Sequence, residues 1–254
     1  MAHTLALLPP VVGLHFDEPS HTYSINHPHL GVVVIPSTTQ VMAATGAKAM
    51  NYSAWRQSLL RSGICESEAD AESYMESHRS HRAMVGTHFH HLAESCLLGT
   101  QPGEVDSEAE CMFGKWQEQF YSRIGVVLIA EHRLVHRAFM YCGSPDLVAE
   151  VDGELTLCDY KTQIAGKEKV RTEWGLQVGA YAKLIEHTYG ITLRKAAMVI
   201  VTTDAVRVQQ YNYADIQQGA DRFLGFLAEH HALQAKLGSL PHHIALTAME
   251  NLFR

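Results

Sequence analysis

The chain has 254 residues, of which 46% are hydrophobic and 19% are charged, and its formal net charge is −7. This composition is ordinary for a soluble globular protein, and the chain is long enough to bury a sizeable core. No apolar run approaches the ~18 residues that span a bilayer, and the opening segment lacks the basic start of a signal peptide. The five cysteines are widely spaced, which argues against a disulfide framework and indicates a reducing, cytoplasmic compartment.

The first half of the chain is predicted to be helical after an N-terminal extension of short strands and turns. The extension covers residues 1–36, with turns at Asn26–Pro28 and His29–Gly31. Ser37 is a suitable N-cap for a helix that Gly46 ends. Further helices are expected over 51–62, 67–98 and 106–122, with breaks near Gly63 and around His78–His81, and a loop at Gln101–Gly103.

The second half alternates strands with helices. Strand patterns cover 126–136, 144–151, 154–161, 196–202 and 205–211. An amphipathic helix is expected from about 172 to 189, with apolar side chains at helical spacing at Trp174, Val178, Tyr181, Ala182 and Ile185. A helix over 213–236 follows, then a break at Pro241 and a short C-terminal segment.

These elements predict one α/β domain with a mixed sheet. Within residues 1–254 we expect the extension over 1–36, a helical layer over 37–122, an α/β core over 123–236 and a tail over 237–254.

The stretch from Gly143 to Thr162 reads GSPDLVAEVDGELTLCDYKT and carries the most informative pattern in the chain. Asp152-Gly153 is a hairpin-turn dipeptide between two alternating apolar runs. Side chains two apart on a strand share a face. We therefore expect four side chains of the second strand to point the same way: Leu155, Leu157, Asp159 and Lys161. An apolar face thus ends in a charged pair.

A carboxylate and an ammonium are unfavourable to desolvate unless something compensates. A divalent cation held by Asp146, which follows Pro145, and by Asp159 would compensate, with Lys161 beside it. The alternative is a simple ion pair between Asp159 and Lys161 on an edge strand that faces solvent.

Pro145-Asp146, followed by Asp159-x-Lys161 after a hairpin, resembles the PD-(D/E)XK nuclease superfamily. Other segments resemble its RecB-like exonuclease branch, in the order that the branch shows. They are the opening HTYSINHPHLGVVVIPSTTQVM, which is similar to that of phage and mitochondrial members, the Gly86-Thr87-His88-Phe89-His90 motif, Glu131, and Gln177-x-x-x-Tyr181. The resemblance spans roughly residues 15–210.

The resemblance implies a restriction-endonuclease-like αβββαβ core that binds Mg²⁺ or Mn²⁺. It assigns the metal ligands to four positions: His90, Asp146, Asp159 and the backbone carbonyl of Tyr160. It assigns catalysis to Lys161 together with Asp146, Asp159 and Gln177. Lys161 would polarise the attacking water and offset the charge that develops in the transition state.

Three more residues are expected near the metal or the substrate: Glu131, Tyr181 and Glu94. Four of the residues assigned to the site also have a structural alternative. His90 and Tyr181 could be core residues, and Gln177 could bond to a strand end. Glu131, expected in the middle of a strand, could be an exposed edge residue. Glu94 shares a helix face with His90.

The partner that the resemblance implies is DNA, although a net charge of −7 does not favour contact with phosphates. Local positive charge is nevertheless present. Lys167, Lys169 and Arg171 follow the Asp-x-Lys motif, and Arg82 precedes the histidine motif. We expect these four residues to contact DNA. The alternative is that they are solvated loop charges.

The implied function is a metal-dependent DNA exonuclease that hydrolyses phosphodiester bonds at DNA ends, in single strands or resected duplex. A role in replication, recombination or repair is expected, in the host cytoplasm if the phage-like opening reflects a viral origin. The alternatives are a structure-selective endonuclease on the same core, a catalytically silent nucleic-acid-binding protein, and a zinc hydrolase built on the histidine cluster.

Overall fold

The computed structural model describes residues 3–27, 31–47, 52–238 and 242–252. Its strands are β1 (Thr4–Leu5), β2 (Leu14–Asp17), β3 (Thr22–His27), β4 (Gly31–Ile35), β5 (Ile124–Ala130), β6 (Leu134–His136), β7 (Tyr141–Gly143), β8 (Leu147–Val151), β9 (Glu154–Thr162), β10 (Lys195–Val201) and β11 (Val206–Tyr211). Its helices are α1 (Thr38–Ala44), α2 (Tyr52–Arg61), α3 (Glu68–Leu98), α4 (Ser107–Gln119), α5 (Glu173–Tyr189), α6 (Tyr213–Lys236) and α7 (His242–Leu252), and a short 3-10 helix covers Tyr121–Arg123. None of these helices combines the length and the apolar character needed to cross a bilayer.

A six-stranded mixed sheet forms the centre of the protein, in the order β1-β5-β8-β9-β10-β11. β1 with β5 and β9 with β10 are parallel pairs, whereas the other neighbours are antiparallel. α4, β5, β8, β9, α5 and β10 follow one another in the expected αβββαβ order, with the β6–β7 hairpin inserted between β5 and β8. The predicted α/β class with a mixed sheet is confirmed.

The β8–β9 hairpin turns at Asp152-Gly153, as predicted. The two residues have φ values of 53° and 81°, which a two-residue type I′ turn requires and which Asp and Gly tolerate. Beyond the turn, side chains alternate between the two faces of the sheet. Leu157 packs on one side, and Cys158 and Tyr160 pack on the other.

Helices cover both faces of the sheet. α3 and α4 place Phe89 and Trp116 against one face, and α5 and α6 place Leu184 and Phe223 against the other. The apolar stripe predicted on α5 is buried. Because both faces are covered, β10 is buried along nearly its whole length, which accounts for its almost uninterrupted apolar sequence.

The N-terminal segment contributes to two sheets. β2, β3 and β4 form a separate three-stranded sheet, whereas β1 extends the central sheet beside β5. α1 begins at the predicted N-cap Ser37, which forms a capping box with Gln40. The predicted turns around Pro28 and His29 and the predicted break at Pro241 lie outside the described residues.

The predicted break of α3 around His78–His81 is wrong, because the helix runs unbroken from Glu68 to Leu98. The stretch that suggested a break is polar and contains neither glycine nor proline until Gly86. Its side chains are mostly exposed. A helix segment that faces solvent needs no apolar stripe. The apolar periodicity is therefore lost in this segment although the backbone hydrogen bonds of the helix continue through it.

The predicted strand over 126–136 is also wrong, because it is two strands. β5 ends at Ala130, and Glu131 follows with a φ of 50°, in the left-handed region. The chain therefore leaves the central sheet, and β6 pairs with β7 instead. Glu131 lies at the end of a strand and not in the middle of one.

Candidate active site

Three carboxylates lie on neighbouring strands at one end of the central sheet. The antiparallel register of β8 and β9, extended by one pair beyond Leu147, sets Asp146 opposite Asp159. At the end of β5, Glu131 N donates a hydrogen bond to Asp146 O at 3.0 Å. Side chains directly opposite one another on antiparallel strands are close. The strand register therefore gathers the three acids at this end.

Asp146 is buried just before β8. Its Oδ2 accepts a hydrogen bond from Tyr160 N at 2.5 Å, so the backbone of β9 fixes the carboxylate. Its Oδ1 lies 3.3 Å from His90 Nδ1. One carboxylate oxygen is thus held by the sheet, and the other faces the helical layer.

His90 reaches the acids from α3. One turn earlier, Gly86 lies against β9, where a Cβ atom would be 3.4 Å from Thr162 Oγ1. His90 Nδ1 lies 2.9 Å from Glu131 Oε1. The ligand atoms of His90, Glu131 and Asp146 all lie within 4.8 Å of one another. With metal–ligand distances of about 2.0–2.6 Å, this spacing lets the three groups bind one cation.

The charges around His90 are strongly unbalanced. Burial opposes the charged imidazolium, but the charge of Asp146 and hydrogen bonds to Asp146 and Glu131 outweigh it and raise the pKa of His90 well above its ordinary value. The acids therefore favour a positive charge at this position, which either a proton or a metal ion supplies.

Asp159 and Lys161 form an ion pair on one face of β9, as their spacing predicts. Burial raises the pKa of Asp159, and the charge of Lys161 opposes that rise. Burial also disfavours the Lys161 ammonium, but the charges of Asp159 and Asp146 outweigh it and raise the pKa of Lys161. The lysine therefore carries a positive charge beside the acids.

Gln177 supports Asp159 from α5, on the other side of the sheet from α3. Its Nε2 donates to Asp159 Oδ1 at 3.0 Å and to Tyr181 Oη at 3.0 Å. All three side chains are buried. The predicted Gln-x-x-x-Tyr pair thus contacts the acid of the central strand.

Two other predicted residues lie at the margin of this cluster. The ring of Tyr160 packs edge-on against Phe89 and Trp116, while its backbone N–H binds Asp146. Glu94 is half-buried one turn beyond His90, outside the group of three residues whose ligand atoms lie together. The metal-ligand role of the Tyr160 carbonyl and the role of Glu94 stay predictions.

A cleft of about 250 Å³ opens beside Lys161 and Gln177, with Arg171 in its lining. Lys167 and Lys169 are exposed on the same loop, between β9 and α5. Gln163 closes this loop, since its side-chain amide accepts from Lys169 N at 2.7 Å and donates to Lys169 O at 2.9 Å. The three predicted basic residues thus lie on one braced loop, and Arg171 of this loop lines the cleft.

Arg82 is placed differently from the other basic residues. It lies on α3 and forms an ion pair with Glu108 in the first turn of α4, and its side chain is only 18% exposed. Its guanidinium is therefore engaged within the helical layer.

Thr39 and Gln163 line the cleft but were not singled out from the sequence. Thr39 belongs to the opening HTYSINHPHLGVVVIPSTTQVM, so the resemblance of that opening to family members is a usable signal. Gln163 had none, because a side chain that hydrogen-bonds six residues along an irregular loop leaves no periodic pattern.

The residues present fit a divalent cation. Glu131, Asp146 and Asp159 outnumber the two cationic partners, His90 and Lys161, so the cluster is negative even when both carry charge. Asp159 Oδ2 is buried, and its partner among the described residues is the ammonium of Lys161. Carboxylate oxygens with one imidazole are a ligand set that suits Mg²⁺ or Mn²⁺.

Acids on adjacent strands, an Asp-x-Lys strand and a helical histidine on a mixed α/β sheet match the nuclease core that the sequence resembles. A model of the PD-(D/E)XK nuclease superfamily matches residues 107–239, just over half of the chain, and the chain belongs to this superfamily. Its members act on nucleic acids and use divalent metals. The Mus musculus protein named Mitochondrial genome maintenance exonuclease 1 is 25% identical over 178 residues, which cover 67% of this chain and 50% of that relative. The chain thus spans about half the length of the curated relative that it matches.

Proposed function

We propose that this protein is a metal-dependent DNA exonuclease that hydrolyses phosphodiester bonds at DNA ends, with a role in DNA replication, recombination or repair. The observation that carries the proposal is the convergence of His90, Glu131 and Asp146, with ligand atoms within 4.8 Å of one another, beside the Asp159–Lys161 pair. The relative's name, which describes an exonuclease in genome maintenance, supports the choice of reaction and of pathway.

The acids and His90 would hold Mg²⁺ or Mn²⁺. When bound, such a cation supplies a Lewis acid for the phosphoryl oxygens. Asp146 keeps one oxygen for the cation because Tyr160 N binds the other. Asp159 is oriented by Gln177 in the same way.

Lys161 would act at the scissile phosphate. Its ammonium is paired with Asp159, and Lys161 lines the cleft beside Gln177. A fixed positive charge beside the phosphate stabilises the negative charge that develops on its oxygens, and it orients the attacking water. We assign these two tasks to Lys161.

The loop between β9 and α5 would track the DNA backbone. Lys167 and Lys169 are exposed, and Arg171 lines the cleft beside Lys161. The Gln163 brace limits how far these cations can move, so less conformational entropy is lost when a strand binds. Local charge of this kind makes DNA binding compatible with a net charge of −7.

The test is digestion of 5′-blocked, 3′-blocked and covalently closed circular DNA in Mg²⁺, in Mn²⁺ and in chelator. We expect degradation of linear DNA from an end with either metal, and none in chelator. Replacement Asp159→Asn should lower the rate by at least about 1,000-fold, because both the charge and a metal ligand are lost.

The matched control is Asp152→Asn. Asp152 lies in the β8–β9 turn, at the end of the hairpin away from the acids, and pairs there with Arg123. This variant should cleave like the wild type. Rapid cutting of the circle would identify an endonuclease instead. Wild-type cleavage by the Asp159→Asn variant would show that the proposed site is wrong, and activity in chelator would exclude the metal requirement.

A further inference from the structure

A stacked arginine lies beside the acidic cluster and has no role in the site described above. Arg133 comes two residues after Glu131, in the segment between β5 and β6. Its side chain is 50% exposed, and its guanidinium carbon lies 4.4 Å from the centre of the Phe16 ring. Arg133 thus joins the loop that carries Glu131 to the β2–β3 hairpin of the N-terminal sheet.

The ring under Arg133 is held firmly. Phe16 pairs with Tyr23 across β2 and β3, and the two ring centres are 4.5 Å apart. The rings of Phe16 and of His21, which lies in the turn of the hairpin, are arranged edge to face with their centres 5.2 Å apart. A guanidinium stacked on a fixed ring keeps its N–H donors in the plane, directed outward, and is pre-organised to bind a phosphate with two of them.

This hairpin lies next to the proposed active site. Gln40 of α1 donates to the carbonyl of His21 at 3.4 Å, and α1 also supplies Thr39 to the cleft. Burial and the charges of Cys142 and Glu131 raise the pKa of Tyr23, whereas the charge of Arg133 and a hydrogen bond with it lower that pKa. Tyr23, Arg133 and Glu131 therefore lie close to one another.

The charge of Arg133 is only weakly compensated. Its carboxylate partner among the described residues is Glu18, at 3.9 Å and 82% exposed, and exposed pairs of this kind contribute little free energy. Arg137 provides a contrast, because it donates to Val12 O at 2.7 Å and so ties the N-terminal segment down by a hydrogen bond to the backbone. A purely structural arginine is expected to resemble Arg137.

We propose that Arg133, supported by Phe16, binds a backbone phosphate of the nucleic-acid strand that enters the active site. Arg133 is then a substrate-positioning residue and takes no part in the chemical step. The inference rests on the proposed nuclease function, since it assigns the phosphate to the strand being cleaved. The bidentate geometry of guanidinium and phosphate makes the contact strong.

The test measures kcat and KM of the full-length Arg133→Ala protein on a single-stranded oligonucleotide. Binding of the same oligonucleotide is measured at several salt concentrations in an Asp159→Asn background, so that the strand stays intact. We expect KM and Kd to rise about fivefold, with kcat within about twofold. The slope of log K against log salt should fall by about 0.7, the value for one phosphate on a single strand.

Three further variants separate phosphate binding from a structural role. Arg137→Ala, which removes the backbone tie, should leave Kd and the salt slope unchanged. Arg133→Lys should restore the salt slope but only part of the affinity, because the ammonium keeps the charge and loses the planar stack. Glu18→Gln should tighten binding about twofold, and this gain should vanish in the Arg133→Ala background.

An unchanged salt slope in Arg133→Ala, or an equal loss of affinity in Arg137→Ala, would overturn the inference. These outcomes are distinct from failure of the proposed function. If the proposed function is wrong, the wild-type protein cleaves no DNA. If only the inference is wrong, the wild-type protein still cleaves DNA and Arg133→Ala has the wild-type KM.

Discussion

A single buried amide determines how the acid of the central strand is presented. Gln177 Nε2 has two hydrogens, and Asp159 Oδ1 and Tyr181 Oη each accept one at 3.0 Å. Because a buried polar group without a partner is unfavourable, these bonds fix the rotation of the Asp159 carboxylate. Its second oxygen is thereby turned toward Lys161.

Replacement Gln177→Leu keeps much of the side-chain volume and removes the donor. We predict that kcat on a DNA substrate falls about 10–100-fold, the usual effect of losing a group that orients a metal ligand, while KM changes little. Tyr181→Phe is the control, because it leaves the Gln177–Asp159 bond intact and should lower kcat far less. Steady-state kinetics with thermal melts of both variants measures this. A folded Gln177→Leu protein with the wild-type kcat would contradict it.

At the scale of single residues, the sequence predicted contacts wherever a turn sets the register. A two-residue turn at Asp152-Gly153 pairs the strands around it, and counting outward from that turn sets Asp146 opposite Asp159. The position of Glu131 beside Asp146 was not countable in this way, because β5 has register shifts against β8. The Arg133–Phe16 stack was also out of reach, since no local pattern links residues so far apart in the chain.

At the scale of elements, α5 and α6 cross with almost no space between their backbones. A Cβ atom on Gly219 would lie 2.0 Å from Gly175 O, and one on Gly179 would lie 2.1 Å from Ala220 N. Both obstacles are backbone atoms, so no side-chain rotation can relieve the clash. α5 carries Gln177, so this crossing also sets the height of the amide above the sheet.

We predict that Gly219→Ala destabilises the protein by about 3 kcal/mol or more, because the helices must separate. The control is Gly225→Ala on the same helix, where a Cβ atom meets nothing within 4 Å. That variant should stabilise the protein by about 0.5–1 kcal/mol, the gain of alanine over glycine in a helix. Urea unfolding of the two variants measures both effects, and equal stabilities would show that the crossing tolerates a wider spacing.

Element identity was more predictable than element ends. α5 and α6 were recognisable from their apolar stripes, and the structure begins and ends them within a residue of the predicted bounds. The two errors, in α3 and in β5, arose where tertiary context decides. The polar middle of α3 faces solvent, and the left-handed backbone of Glu131 is an unusual conformation for a residue with a side chain.

At the scale of the whole molecule, the site is assembled from two helical layers that pack on opposite faces of the sheet. α3 supplies His90 from one side, α5 supplies Gln177 from the other, and the strand ends supply the acids between them. The geometry of the site therefore depends on the stability of the entire fold. Conditions that weaken the packing of either layer should also move the side chain that the layer contributes to the site, His90 or Gln177.

Buried histidines make that stability sensitive to acid. The ring of His136 is stacked between Phe139 at 3.8 Å and His187 at 3.9 Å. Burial, together with the charges of His187 and Lys183, lowers its pKa to about 3. In the unfolded chain the imidazole titrates near 6.5. Between these two values the unfolded state binds a proton that the folded state does not, so stability falls as the pH drops from 6.5 toward 3.

We predict that His136→Asn lowers stability at pH 7.5, because the stack is lost, and yet flattens the decline between pH 6.5 and 4.5. The asparagine oxygen can still accept from Phe139 N, which now binds His136 Nδ1 at 3.2 Å, and it does not titrate. One such group contributes a slope of up to roughly 1.4 kcal/mol per pH unit. The carboxylates contribute alike to both proteins, so the difference in slope, measured by urea unfolding across the pH series, isolates His136. The control is His15→Asn, at an exposed position on β2, which should leave the slope of stability against pH unchanged. Equal slopes in the wild type and in His136→Asn would show that the His136 ring accepts its proton in the folded state.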